Sequence, residues 1–164
     1  ENGGSSFDTA IKSEVRKQHR LYIGDRTAEY LKIALCDALE QEDKTEVVYG
    51  RNLVNGLPDK AEVSSKLVNE SMREQLHHLA ENIQILLERT PPEISAAIKK
   101  EGIYLTGGSS NIKNLVPFFM NETGLTINHR EDRLSPVATG IGRFLRSLKI
   151  RKIKISQTSR KTIA

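Results

Sequence analysis

Between residues 101 and 115 the chain reads EGIYLTGGSSNIKNL, a strand-forming run from Ile103 to Leu105 that breaks on Gly107-Gly108 just as a helical pattern begins. This juncture constrains the fold more than any other stretch. The helix that follows carries Leu115, Phe118 and Phe119, Gly124 ends it, and Leu125 to Asn128 is strand-like again. Ser135-Pro136 then opens a last helix with Val137, Ile141, Phe144, Leu145 and Leu148 at helical spacing. Strands that alternate with helices need crossover connections and pair in parallel, so the class is α/β, with a short mixed or parallel sheet flanked by helices.

The first half is organised differently. Ser5 followed by Asp8 has capping-box character, and Phe7, Ile11 and Val15 continue a helical stripe. Gly24 punctuates, and Asp25 is a good N-cap for a second helix with Ala28, Leu31, Ala34, Leu35, Ala38 and Leu39 on its apolar side. Glu46 to Tyr49 and Lys60 to Val63 read as short strands around the turn signal Asn55-Gly56, a small β element of open pairing. Ser64 or Ser65 caps a long helix bearing Val68, Met72, Leu76, Leu79, Ile83 and Leu87, which Thr90-Pro91-Pro92 ends. Pro92 suits the first position of the next helix.

Charge separates the tail from the body. From Arg143 onward there are eight basic residues and no acid; removing those eight from the formal +4 leaves residues 1–142 at −4. A basic face on the body, the footprint of a nucleic-acid binder, is therefore not expected. Lys149 to Ile155 alternates basic and apolar residues, and 149–164 reads as a basic tail without a fold. No apolar run reaches the roughly 18 residues of a membrane span. The single cysteine, Cys36, precludes an internal disulfide framework and fits a reducing cytoplasm. The chain opens on Glu1 rather than methionine, and we expect it to be a fragment of a longer protein.

Few residues suggest chemistry. His77 and His78 are adjacent, so on a helix they point about 100° apart and cannot both face one ion; no metal site is expected. No serine sits in a nucleophile motif, no phosphate-loop lysine motif occurs, and no catalytic residue is assigned. Two features remain open between packing and ligand contact. Gly107-Gly108 lies beyond the carboxyl end of a parallel strand, where glycine permits close approach and free N–H groups attract anions. Glu29 and Lys32, at i and i+3, share a helix face away from the Leu31/Leu35 stripe; they could grip a ribose hydroxyl and an adenine edge, or form a surface ion pair.

Taken in order, GGSSFDTAI (residues 3–11), IGDRTAEYLKI (23–33), GRNLVNGLP (50–58), ERTPPEISAAI (88–98), GIYLTGGSSNIKNL (102–115) and ETGLTINHREDRLSPVATGIGRFL (122–145) resemble the MreB family of bacterial actins over residues 3–148. The resemblance implies the second domain of an actin-like ATPase of the ribonuclease H-like fold. Residues 1–24 and 76–148 would form its inner subdomain and 25–75 a small α+β outer one. It implies ATP in a cleft between two domains, with Glu29, Tyr30, Leu31, Lys32, Thr106, Gly107, Gly108 and Ser109 around the adenosine. Mg2+ would be held mainly by an N-terminal domain that this chain lacks.

It further implies filaments of the protein with itself, contact with that first domain and with membrane proteins of wall synthesis, and a place in the cytoplasm at the inner face of the membrane. The basic tail could touch an anionic membrane surface. The competing class is a non-polymerising actin-like ATP-binding adaptor of cell division, pilus assembly or chaperone type; such relatives lack the GDRTAEYLKI and GRNLVNGLP phrases.

Some residues depart from the family pattern. Ser109 stands where a third glycine is usual and is expected to resist a positive φ; Asp25 replaces the usual Glu and Ser5 an acid, and the tail has no counterpart. These departures suggest a divergent paralogue with weaker nucleotide binding. The phosphate loops and catalytic carboxylate would precede Glu1, so no ATPase activity is expected of the chain alone.

Overall fold

The computed structural model describes residues 3–129 and 137–147. The order of elements is α1 (Gly4–His19), β1 (Leu21–Tyr22), α2 (Asp25–Leu35), β2 (Thr45–Asn52), β3 (Pro58–Ser64), α3 (Ser65–Glu88), α4 (Pro92–Glu101), β4 (Ile103–Leu105), a 3-10 turn (Gly108–Asn111), α5 (Leu115–Thr123) and β5 (Ile127–His129). Residues 137–147 form a further helix, α6. The Ser135-Pro136 start expected for it, and the tail at 149–164, lie outside the described residues.

Three helices build the core. Phe7, Ile11 and Val15 recur every four residues along α1, which places them on one stripe, and all are buried. That stripe packs against α2 and α3. Ala28, Leu31 and Leu35 supply the face of α2, and Leu67, Val68, Met72, Leu76 and Ala80 that of α3. Ser64 caps α3 by accepting a hydrogen bond from Leu67 N at 3.3 Å.

Two sheets border these helices. β1, β2 and β3 form an antiparallel sheet in that order, with Val48 opposite Ala61 and Glu46 opposite Val63. Val48 and Val63 turn inward, and Val47 and Tyr49 outward, the alternation of a sheet with one wet face. β4 and β5 pair in parallel through the crossover of α5, with Ile103 opposite Ile127. The parallel pairing expected from the strand-helix alternation is present.

Three local expectations change. The N-cap of α1 is Gly3, whose N–H donates to Ser6 Oγ at 3.1 Å, so the box is Gly3/Ser6 rather than Ser5/Asp8. The N-cap of α2 is Gly24, and Asp25 is the first helical residue, where its charge still favours the helix dipole. That helix ends at Leu35 instead of continuing through Leu39, because Asp37 makes a parallel bridge to Lys113 and Ala38 N donates to Lys113 O.

Met72 is fully enclosed and Val54 is 72 % exposed. Met72→Ala is expected to lower the unfolding free energy by about 2–5 kcal/mol, and Val54→Ala to change it by less than about 0.5 kcal/mol, as urea denaturation monitored by circular dichroism will report.

Candidate functional site

Residues expected at one site come from two segments, the middle of α2 and the glycine turn after β4, and the structure adds a third, the start of α1. Lys32, on α2, reaches out to the first turn of α1. Its Nζ lies 2.8 Å from Asp8 Oδ1 and donates to Gly4 O at 3.2 Å. The Lys32 side chain is 9 % exposed and that of Asp8 17 %, so the pair is largely shielded from water. Asp8 Oδ1 accepts no hydrogen bond and is neutralised by the charge contact alone.

The turn closes on the same point. A Cβ placed on Gly4 would lie 3.2 Å from Ser109 Oγ and 3.5 Å from Lys32 Nζ, so Gly4 is pressed between the two residues singled out in separate segments. The glycine requirement at the turn is narrower than the sequence suggests. Gly107 has φ 93° and ψ 167°, with nothing within 4 Å of where a Cβ would stand. Gly108 opens a 3-10 turn, and Ser109 sits inside it without a positive φ. The strain expected at Ser109 is therefore absent, since a 3-10 conformation suits any L-residue. Ser110 is buried and its Oγ donates to Gly107 O at 2.7 Å, which fixes the turn from within.

The other expected residues divide. Glu29 is exposed, one turn before Lys32 on α2. The Tyr30 hydroxyl donates to Glu46 Oε2 at 2.8 Å, on β2, and that bond raises the phenol pKa. Leu31 is fully buried in the core, so its side chain supports the site without facing a ligand. Lys32 commits one of its three N–H groups to Gly4 O and meets Asp8 through the charge contact.

A second tie was not visible in the sequence. Asp37 is 2 % exposed, and its Oδ1 accepts from Leu39 N at 3.0 Å and Asn114 Nδ2 at 2.8 Å. Its own N–H donates to Asn69 Oδ1 at 2.9 Å. The end of α2 is thereby joined to α3 and to the loop that follows the glycine turn. Lys113 also pairs with Glu42, and this contact, with that of Lys44, holds the Glu42 carboxyl down to about 2. Asp37 and Asn114 lie 77 residues apart, and no short motif encodes such a pair.

Cys36, against this tie, is pushed up to about 12 by burial and the neighbouring Asp37 charge, so its thiol stays protonated and unreactive at neutral pH. Among the described residues no group of three or more His, Cys, Asp or Glu side chains could hold a metal ion, and no helix is long and apolar enough to cross a membrane. Beside the clamp lies an apolar groove of about 330 Å³ walled by Leu76, Leu79, Ile83, Leu86, Leu105 and Phe119, which Thr106 and Ser109 border. Neither Glu29 nor Lys32 lines it.

Helices packed on a small parallel sheet, with a glycine turn after its first strand brought close to Gly4 and Lys32, are of the actin-like class, and comparison with known proteins agrees. MreB5 of Spiroplasma citri bound to AMPPNP superposes with a TM-score of 0.85 at 28% identity, over 93% of this chain and 46% of that one. The model of the MreB/Mbl protein family matches residues 1–153. The cell shape-determining protein MreB of Escherichia coli K12 is 36% identical over 144 residues, 87% of this chain and 42% of that protein. Mbl of Bacillus subtilis 168 is 34% identical over 155 residues, 93% of this chain and 46% of its own length. The chain belongs to the MreB/Mbl family of actin-like proteins, and it spans less than half the length of these relatives.

Two outcomes test this geometry. Asp8→Ala strands the shielded Lys32 charge and is expected to cost about 3–5 kcal/mol in urea unfolding, whereas the double change Asp8→Leu with Lys32→Met should restore much of that loss. The Glu42 carboxyl has an ordinary value of 4.5 and a folded value of about 2. Its contribution to stability is therefore complete above pH 4.5 and fades as pH falls toward 2. Glu42→Gln should flatten that part of the stability–pH profile, most clearly at low salt.

Proposed function

We propose that this chain is the adenosine-binding side of an MreB-like ATP site, the second domain of a bacterial actin. Glu29 would accept from a ribose hydroxyl, an N–H of Lys32 not engaged with Gly4 would reach the adenine edge, and the backbone from Thr106 to Ser109 would lie against the nucleoside. Leu31 and Tyr30 hold α2 in place beneath these contacts. The observation that supports the reading is the meeting of Lys32 and Ser109 about Gly4, since two residues from separate segments weighed independently in the sequence come together there. Gly107 adds to it, because its open surroundings leave the backbone approachable. The MreB5 relative bound to AMPPNP supports nucleotide as the ligand.

The residues here do not compose a Mg2+ site: Asp8 is spent on Lys32, and Glu29 stands alone. Metal and phosphates would be held by the rest of the protein, where positioning of the transferred group supplies most of the catalysis in phosphoryl transfer. In this reading residues 25–75 form the outer lobe, and 1–24 with 76–148 the inner one. The protein assembles with itself into filaments under the cytoplasmic membrane and directs rod-shaped wall growth.

In the full-length protein, Glu29→Gln should weaken ATP binding about tenfold, near 1.4 kcal/mol, with the unfolding midpoint unchanged, as titration with a fluorescent ATP analogue will show. Unchanged affinity would remove Glu29 from the site. The 164-residue chain alone should bind ATP more weakly than about 1 mM and show no turnover above background.

A further inference from the structure

A buried carboxylate just past the end of α2 is a costly way to fill space. Asp37 is 2 % exposed, and taking a charge out of water costs several kcal/mol unless partners replace the water. Its partners fall short of that. Oδ1 accepts from Leu39 N and Asn114 Nδ2, but Oδ2 accepts no hydrogen bond and has Lys113 Nζ at 3.9 Å as its charge contact. An apolar residue of similar size would pack there at lower cost. What the carboxylate adds is direction.

Asn114 shows the same preference from the other side. It is the N-cap of α5, with φ 57°, a left-handed conformation that asparagine tolerates better than most residues. An asparagine at an N-cap ordinarily accepts from a backbone N–H of the first turn, a bond worth about 1 kcal/mol. Here it makes no such bond, and its amide donates instead to Asp37 Oδ1 at 2.8 Å and to Gln41 Oε1 at 3.4 Å. One residue earlier, Lys113 O accepts from Ala38 N at 2.9 Å. Lys113 and Asn114 thus hold the loop that follows the 3-10 turn to the segment that leaves α2.

We infer that Asp37, acting through Asn114, is a positioning residue of the adenosine clamp: it sets where the turn from Thr106 to Ser109 stands against the Glu29 face of α2. Asp37 itself is buried too deeply to touch a nucleotide. Between the two, the stretch from Gly107 to Asn114 bonds within itself. Ser110 N and Ser110 Oγ both donate to Gly107 O, and Ile112 N donates to Ser109 O, so a fixed far end constrains the glycine end as well. Asn69 completes the frame, because its Oδ1 accepts from Asp37 N at 2.9 Å and anchors Asp37 to α3. The inference rests on the reading that Glu29 and the turn hold the adenosine, and its test separates the two.

The test uses the full-length protein and two probes, a fluorescent ATP analogue and inorganic tripolyphosphate, which carries no adenosine. Asn114→Gly cuts the tie, while glycine accepts the left-handed φ. It should weaken binding of the ATP analogue about tenfold and change tripolyphosphate affinity by less than about twofold. The reciprocal pair, Asp37→Asn with Asn114→Asp, restores a hydrogen bond of reversed direction and should return ATP affinity to within about threefold of the parent. Unchanged ATP affinity in Asn114→Gly overturns the inference. So does an equal loss of both probes, which a loss of folded protein alone would give, and so does a reciprocal pair that binds no better than Asn114→Gly. Glu29→Gln, run alongside, separates the causes. A loss there with none in Asn114→Gly removes only the role of Asp37 and Asn114, and no loss in either removes the clamp as well.

Discussion

The ion pair between Lys32 and Asp8 fixes the arrangement on which the rest of the site depends. Taking two charges out of water costs several kcal/mol per ion, and a pair of apolar residues of similar volume would often hold two helices as well or better. The value of the pair is therefore positional. A methionine at 32 could pack against α1 at many heights, whereas an ammonium 2.8 Å from Asp8 and bonded to Gly4 O admits one. That height sets where the first turn of α1 meets Ser109, and hence where the glycine turn lies relative to α2.

Asp37 repeats the device five residues later. Lys32 meets the start of the turn region through Gly4 and Ser109, and Asp37 holds its far end through Asn114 and the bridge to Lys113. The segment from Gly107 to Asn114 is thus packed near Lys32 at one end, through Gly4, and tied to Asp37, just past α2, by polar contacts at the other. Polar ties specify geometry where a short turn has little apolar surface to bury. Ser110 bonded to Gly107 stiffens the segment between them. The outcome is a turn held in a defined position relative to α2.

Much of the fold was legible because periodicity survives packing. Phe7, Ile11 and Val15 announce α1, the apolar stripe of α3 holds from Val68 to Ala80, and strand, turn, helix, strand announces parallel pairing. Two-residue β1 had too few residues to show a period, and it exists because Leu21 and Tyr22 pair with Asn52 and Arg51. The end of α2 misled for a related reason. Ala38 and Leu39 continue the helical stripe, and only the distant Lys113 and Asn114 overrule it. Of the site, Lys32 and the glycine turn were legible as polar or glycine breaks in apolar patterns. Asp8 was hidden inside an ordinary helix, and Asp37 among a run of acids.

The exposed and shielded residues of the site fall into two sets. Lys32, Ser110 and Asp37 are buried and engaged with their own chain, while Glu29 and Gly107 face open space. The first set is framework, and in the proposed reading the second is the surface offered to the nucleotide. A small-molecule site normally encloses 70–90% of its ligand's surface. One helix face and one turn form a single wall, so a nucleotide held there alone would keep most of its surface in water and bind weakly.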